Sequence, residues 1–303
     1  MHKALRRGLL LLCAVSVLAV PAVATGRQLD DRYRADDGGV RRDDRRSLQV
    51  VGLTTDGRLV RFDADTPGRT RGIGKVKGLT GDQSLVGVDY RVQDGKLYGV
   101  GNAGGIYTLS TGAAAATKVG QLTVALSGAS FGVDFNPAAN RLRVVSDTGQ
   151  NLRHNLDDAA ATTPPLAGTT VMDGTLTVPP ATTPVMGVAG AAYTNNDLDP
   201  NTATTLFDLD TAADQLVVQS PANAGALAPT GKLLVDAGPI AGFDIYSRTS
   251  FGATQANLGL ATVSVLGRSS LHQVNLLTGR ATRIGSFRPS AQVADIAIPL
   301  DQG

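Results

Sequence analysis

The sequence contains no glutamate and no tryptophan, and it has a single cysteine. Without glutamate there is no Glu general base, and all 26 acidic residues are aspartates, which favour turns over helices. Aromatic residues make up only 4% of the chain, which weakens the prediction of a site that stacks on sugar rings. These absences favour a chain rich in strands and turns over a helical enzyme.

Residues 1–24 have the features of a secretory signal peptide. A basic start precedes an apolar core at 9–20, and Ala22-Val23-Ala24 supplies the small-x-small cleavage site. The apolar run is shorter than the ~20 residues that span a bilayer, so export is favoured over the alternative of a membrane anchor. Cys13 would leave with the signal, and the mature chain could then form neither a disulfide nor a cysteine metal site. We therefore expect a secreted, extracellular protein with no membrane span after cleavage.

Signal removal also changes the charge. Without Lys3, Arg6 and Arg7, 25 basic side chains remain against 26 acidic ones, a net charge of about −1. The basic character of the full chain thus belongs mainly to the segment that is removed. Nucleic acid is excluded as an expected partner, which leaves a small molecule, a glycan or a protein.

The mature chain divides into three parts. Residues 25–46 hold seven Arg and six Asp with few apolar residues, which predicts a disordered charged spacer or, alternatively, an arm that contacts the cell wall. Residues 47–299 form one domain, and 300–303 form a short tail. About 250 residues suffice to build an apolar core without disulfides, and we expect a monomer.

One strand pattern recurs along the domain and predicts an all-β repeat architecture. Its copies read LVRFD (59–63), IYTLS (106–110), RHNLD (153–157), LFDLD (206–210) and QVNLL (273–277). Each shows the period-2 alternation of a strand with one buried face, and each follows another short strand, such as LYGVG or AAYTN. Five repeats of about four strands predict a five-bladed β-propeller; a six-bladed propeller and a β-sandwich are the alternatives.

A second pattern predicts how the ring closes. The tetrapeptides GVDY (87–90), GVDF (132–135), GFDI (242–245) and VADI (293–296) occupy the same place in four repeats. The first repeat lacks this strand at its start, whereas the chain ends with one. The C-terminal strand is therefore expected to complete the N-terminal blade. The counterpart between the third and fourth repeats is not recognisable in the sequence.

Several of these segments together resemble a known family. The motifs are GVDFNPAANRLRVVSDTGQNLRHN, AAYTNND, TTLFDLDT, AGFDI and SSLHQVNLLTGRATRIG. They are similar to the secreted bacterial family called domain of unknown function 4394, over roughly residues 47–299. The resemblance implies a repeat protein of propeller type, and it implies no activity and no catalytic residues.

The four aspartates of the recurring tetrapeptides are the first candidate site: Asp89, Asp134, Asp244 and Asp295. In a propeller they would lie around the central axis, where carboxylates repel one another unless a cation neutralises them. Ligation by oxygen alone suits Ca²⁺ or another divalent cation. The alternative is that each carboxylate accepts backbone N–H bonds from the neighbouring blade.

A ligand site is expected where loops gather on one face of the propeller. The loops TTDG, NAGG, SDTG, NNDLDPNTAT and LGRS are predicted to do so, and Asp147, Gln150, Asn195 and Asp197 are the first choices for ligand contacts. The third repeat also carries an unusual set of arginines beside Asp134. Arg141, Arg143 and Arg153 are therefore candidates for an anion or carboxylate contact.

Other motifs point away from catalysis. His154 occupies an apolar slot of the repeat and is interpreted as a neutral core histidine, and no HExxH motif is present. The Asp197-x-Asp199-x-Asn201 spacing fails as an EF-hand, which leaves a looser Ca²⁺ site or an Asx-rich turn. No catalytic residue is predicted. The expected function is binding or scaffolding at the cell surface or outside the cell, and the alternative is an extracellular lactone or glycoside hydrolase, assisted by a metal.

Overall fold

The predicted five-bladed β-propeller is confirmed in a computed structural model, which describes residues 48–302. Its twenty strands form five four-stranded antiparallel sheets, and the described residues contain no α-helix. The predicted signal peptide and spacer lie outside the described residues. Within that described range, no helical segment has the length and apolarity that crossing a membrane requires.

Each blade is listed from its innermost to its outermost strand. Blade 1 contains β20 (Val293–Ala297), β1 (Gln49–Thr54), β2 (Arg58–Asp63) and β3 (Arg71–Lys75). Blade 2 contains β4 (Leu85–Tyr90), β5 (Leu97–Gly101), β6 (Gly105–Leu109) and β7 (Ala116–Gln121). Blade 3 contains β8 (Phe131–Asn136), β9 (Arg141–Ser146), β10 (Asn151–Asn155) and β11 (Thr169–Met172). Blade 4 contains β12 (Val188–Tyr193), β13 (Leu206–Asp210), β14 (Gln215–Gln219) and β15 (Leu227–Lys232). Blade 5 contains β16 (Ala241–Ser250), β17 (Ala253–Val265), β18 (Arg268–Val274) and β19 (Ala281–Ser286).

The ring closes as the sequence predicts. Strand β20, from the C-terminal end, pairs with β1 from the N-terminal end, with Gly52 opposite Ile296. Gln302 in the tail reinforces this pairing, because it hydrogen-bonds both backbone groups of Gln49. The innermost strands contact one another in the circular order β20, β4, β8, β12 and β16.

The strand assignment in blade 4 differs from the prediction. LFDLD is β13, the second strand of its blade, whereas the other copies of that pattern fall on third strands. The AAYTN segment contributes the innermost strand β12, not a second strand. Alternation of apolar and polar residues is the same for neighbouring half-buried strands, so it could not distinguish them. The third strand of blade 4 is QLVVQ, which is β14.

The apolar core is divided into five clusters, one at each interface between neighbouring blades. Edge-to-face aromatic contacts contribute at two interfaces: Phe62 packs on Phe287, and Tyr98 packs on Phe135, both at 5.1 Å between ring centroids. Near the axis, the innermost strands β8 and β12 approach too closely at Gly132 for a side chain to fit. A Cβ atom on Gly132 would lie 2.5 Å from the backbone nitrogen of Ala191, so glycine is required there.

Candidate functional site

The four predicted aspartates lie on the innermost strands, and each links its blade to the next one around the ring. All four are buried, and a carboxylate oxygen of each accepts a backbone N–H bond from the neighbouring blade. The donors and acceptors are Val88 N to Asp295 Oδ2 (2.8 Å), Phe135 N to Asp89 Oδ2 (2.8 Å), Tyr193 N to Asp134 Oδ1 (3.3 Å) and Ile298 N to Asp244 Oδ2. The backbone-bonding interpretation of these residues is therefore confirmed.

Three of these aspartates also form one cluster at the axis. Asp89, Asp134 and Asp244 each place a carboxylate oxygen within 4.8 Å of the other two. Burial, followed by repulsion from neighbouring aspartates, raises the pKa of Asp89 and of Asp134 well above the ordinary value. Burial raises the pKa of Asp244 to about 7 and that of Asp295 to about 8. Such a cluster at neutral pH requires either protons or a cation.

Blade 4 has no aspartate in this ring. Tyr193 N donates to Asp134 as Phe135 N donates to Asp89, so Ala192 stands at the aspartate position. This substitution explains why the counterpart of these tetrapeptides in blade 4 was not recognisable in the sequence.

A loop connects blades 4 and 5 instead, on the face of the propeller where the innermost strands end. This loop, residues 194–205, joins β12 to β13. Asn196 N donates to Ser247 Oγ at 2.9 Å, and Asn196 Nδ2 donates to Ile245 O at 2.9 Å. The loop thus supplies inter-blade bonds where the aspartate is missing.

The axis opens into a cavity on the face where the innermost strands begin. The cavity has a volume of about 270 Å³ and is lined by residues of four blades, with Asp295 of the aspartate ring among them. A second cavity of about 410 Å³ lies between blades 3, 4 and 5 and is lined mainly by small or apolar residues, including Met186, Ala237 and Pro239. Ser130 of the first cavity donates from Oγ to Pro239 O of the second, at 2.7 Å. We call the two cavities together the axial mouth.

Four of the five predicted loops gather on the face of the axial mouth. TTDG, NAGG, SDTG and LGRS join second to third strands, and their backbones bond the segments that enter the innermost strands, as in Thr55 N to Gln292 O at 2.9 Å. The fifth loop, NNDLDPNTAT, joins a first strand to a second strand and lies on the opposite face. The prediction that it joins the cluster is wrong, because its blade has one strand before LFDLD where the repeat alignment assumed two. Residues 211–214 take its place.

Asp147 and Gln150 lie beside the axial mouth, where they hold the segment that enters blade 3. Ala129 N donates to Asp147 Oδ1, and Ser127 N donates to Gln150 Oε1, both at 2.9 Å. Asp147 also lines the second cavity. Of the predicted ligand residues, Asp147 alone lines a cavity of the axial mouth.

Asn195 and Asp197 lie on the opposite face, and their polar groups are used within the protein. Asp197 Oδ2 accepts bonds from Thr254 N (2.8 Å) and Thr254 Oγ1 (2.6 Å), while Oδ1 accepts one from Asp199 N (3.0 Å). Asn195 and Asn257 exchange two bonds across the same interface. This pattern is that of an Asx-rich turn, which agrees with the second interpretation of the loop.

The three arginines of blade 3 contact internal carboxylates. Arg141 binds Asp158 at 3.1 Å, and Arg153 makes a bidentate pair with Asp173 at 2.9 and 3.0 Å. Arg143 is only 2% exposed; it binds Asp173 at 2.7 Å and stands where other blades carry Leu53, Tyr98, Phe207 and Leu260. The carboxylate contacts predicted for these arginines are therefore made by Asp158 and Asp173 of the chain itself.

Sequence reasoning missed one buried carboxyl group next to this network. Asp208 on β13 is fully buried, and neither of its oxygens has a hydrogen-bond partner among the described residues. Burial raises its pKa to about 8, while nearby Arg143 lowers it. The only signal in the sequence was an aspartate between two apolar residues of a strand, which usually points to solvent.

Both described histidines belong to the blade interiors. His154 Nδ1 lies 3.0 Å from Thr170 Oγ1, and His272 Nε2 lies 2.9 Å from Ser270 Oγ. Burial lowers the pKa of each to about 4, so both are neutral at physiological pH. The interpretation of His154 as a neutral core residue is confirmed.

The fold and the axis define this chain as a five-bladed β-propeller with an acidic ring beneath an open mouth. The chain belongs to the family described as Domain of unknown function (DUF4394), whose profile matches residues 58–297. No curated protein sequence matches the chain.

Three solved structures are similar to the chain at low identity and with TM-scores below 0.5. An auxiliary nutrient binding protein from Bacteroides thetaiotaomicron is 10% identical with a TM-score of 0.42; the match covers 77% of this chain and 56% of that protein. A protein from Lactobacillus plantarum is 13% identical with a TM-score of 0.36, covering 83% and 99% of the two chains. An auxiliary nutrient binding protein from Bacteroides ovatus is 12% identical with a TM-score of 0.37, covering 77% and 57%. Such likenesses concern the fold alone.

Proposed function

We propose that this protein is an exported binding protein whose ligand site is the axial mouth, and that the aspartate ring beneath it holds a divalent cation. The observation that carries the proposal is the cluster of Asp89, Asp134 and Asp244, whose oxygens lie within 4.8 Å of one another. Asp295 connects this cluster to the mouth cavity, because it lines the cavity and lies close enough to Asp244 for the two charges to interact. A cation entering from the mouth therefore meets Asp295 first.

The electrostatics of the ring favour a cation. Within residues 48–302, no lysine or arginine forms an ion pair with any of the four aspartates. A buried carboxylate without a basic partner is costly, so it must bind a proton or a metal ion. Backbone N–H groups occupy a single oxygen of Asp134 and leave lone pairs for ligation.

The donor chemistry selects the metal. Every ligand atom available in the cluster is a carboxylate oxygen. Ca²⁺ accepts six to eight oxygen ligands in flexible geometry, whereas Mg²⁺ demands a near-ideal octahedron and sheds water reluctantly. We therefore propose Ca²⁺ as the preferred ion, with water or a ligand in the mouth completing its coordination.

The test is a thermal melt with and without Ca²⁺ in wild type and in Asp134→Asn. We expect Ca²⁺ to raise the melting temperature of the wild type, since a ligand bound only by the folded state stabilises it. The variant should lose this shift. Asp197→Asn is the matched control: it alters a buried aspartate on the opposite face, and the Ca²⁺ shift should persist. A wild type that ignores Ca²⁺, or a shift that survives in Asp134→Asn, would overturn the cation proposal.

The alternative function, hydrolysis of a lactone or glycoside, stays a prediction. Both described histidines are buried within blades and neutral, so neither reaches the axial mouth as a general base. A metal-assisted reaction would need the same aspartate ring. Binding is therefore the function that the geometry supports best.

A further inference from the structure

A third cavity lies in blade 2, on the face opposite the axial mouth. Its volume is about 460 Å³, within the roughly 300–1,000 Å³ range of small-molecule sites. It lies where β4 ends, where β5 begins and where β6 turns into β7. Buried Leu97 and Leu109 contribute apolar surface to its lining.

The polar lining of this cavity consists mainly of hydroxyl groups. They belong to Tyr90, Thr108, Ser110, Thr111 and Thr117. Between residues 48 and 302, none of these five hydroxyls makes a hydrogen bond within the protein, whereas Tyr98 and Tyr107 bond Asp94 and Asp82. Hydroxyl groups both donate and accept, so this lining suits a ligand that is itself rich in hydroxyls.

Tyr90 is the residue that distinguishes blade 2. In the equivalent tetrapeptides, Phe135, Ile245 and Ile296 carry no hydroxyl, and in blade 4 the Tyr193 hydroxyl already accepts a bond from Arg143 Nε at 3.3 Å. The Tyr90 hydroxyl has no hydrogen-bond partner among the described residues, and a phenolic hydroxyl can both donate and accept. It can therefore donate to a ligand.

One cationic group lines the cavity. The side chain of Lys96 is 62% exposed and forms a salt bridge with Asp94, in which its Nζ lies 3.7 Å from Asp94 Oδ2, longer than a hydrogen bond. Asp94 is meanwhile bonded by the Tyr98 hydroxyl at 2.7 Å. The Lys96 ammonium can therefore pair with an anionic group on a ligand.

We propose that this cavity binds a sugar acid, a hydroxyl-rich ring that carries one carboxylate. The five hydroxyls and the Tyr90 ring contact the sugar, and Lys96 pairs with the carboxylate. Charge-assisted hydrogen bonds of this kind are roughly twice as strong as neutral ones, so Lys96 gives preference for the acid over the neutral sugar. This site lies on the face opposite the axial mouth.

The test is isothermal titration calorimetry with two probes, D-galacturonate and neutral D-galactose. We expect saturable binding of galacturonate at least tenfold tighter than that of galactose. Lys96→Gln should remove this preference, and Tyr90→Phe should weaken galacturonate binding about fivefold through the loss of one hydrogen bond. The control is Lys118→Gln, since that lysine bonds Thr80 O outside the cavity and its loss should change nothing.

Two results would overturn the proposal. One is the absence of saturable galacturonate binding to the folded wild type. The other is binding that neither Lys96→Gln nor Thr117→Val weakens; both residues are exposed, so these variants should fold even if Tyr90→Phe does not. Asp134→Asn should bind galacturonate as the wild type does, which keeps this test distinct from that of the aspartate ring.

Discussion

In the absence of divalent cations, the stability of the propeller should fall as the pH rises. Asp244 and Asp295 have pKa values of about 7 and about 8 in the folded state, against an ordinary value of 3.8. At pH values between the unfolded and the folded pKa, the native state holds protons that the unfolded chain has released. The free energy of unfolding is therefore highest near pH 4 to 5, decreases through neutral pH, and levels off above about pH 8.

The size of this effect follows from the number of protons. Each proton retained only by the folded state costs about 1.4 kcal/mol of stability per pH unit. Two such protons would remove at most about 5 kcal/mol between pH 5 and pH 7, and roughly half of that if the two groups share one proton. Because a domain is stable by only about 5–15 kcal/mol, the loss would be easily measured.

The assay is urea unfolding at a series of pH values in the presence of a chelator, followed by circular dichroism. Asp295→Asn is the matched variant, since its amide oxygen can still accept the bond from Val88 N while the charge is removed. The variant should lose part of the decline and be more stable than the wild type at pH 8. A wild-type stability that stays constant from pH 5 to pH 8 in chelator would refute the reasoning.

Three further predictions concern the scaffold. Deleting residues 293–302 removes β20 from blade 1, and we expect the cooperative unfolding transition seen by calorimetry to disappear; a truncated chain that still melts cooperatively at the wild-type temperature would contradict the closure. Asp197→Ala strands the two donors of Thr254 and should cost about 2–3 kcal/mol in urea unfolding, whereas half-buried Asp199→Ala should cost well under half as much. The pKa of His154 is about 4 in the folded state against an ordinary value of 6.5, so its contribution to stability is lost as the pH falls from about 6.5 towards 4. His154→Leu should remove that part of the acid sensitivity. An acid unfolding profile that the substitution leaves unchanged would count against a buried neutral histidine.

The regular parts of this fold could be predicted from the sequence because they repeat. The GxD tetrapeptides mark the innermost strands in three blades, and VADI at the end of the chain marks a fourth and indicates how the ring closes. The need for glycine at Gly132 and the backbone bonds to the aspartates follow from the crowding of strands at the axis. When the same residue recurs at the same position of several repeats, it meets a structural requirement that can be recognised from a single sequence.

The irregular parts could not be predicted in the same way. In blade 4, Ala192 replaces the aspartate and a long loop supplies the missing bonds. The residue that identifies the innermost strand in the other blades is therefore absent from this one. Arg143 is a charged residue in a slot that is apolar elsewhere, and it is compensated by Asp173, thirty positions along the chain. Side-chain pairs of this kind depend on three-dimensional proximity between loops, which spacing along the sequence does not determine.

The cation proposal is tested most directly by a crystal structure of the protein grown with Ca²⁺. We predict one ion between Asp89, Asp134 and Asp244, at 2.3–2.6 Å from their carboxylate oxygens and reachable from the axial mouth. The ion should be absent in crystals of Asp134→Asn grown under the same conditions. A wild-type structure in saturating Ca²⁺ whose ring contains only water, with each aspartate bonded to the neighbouring backbone, would contradict the account.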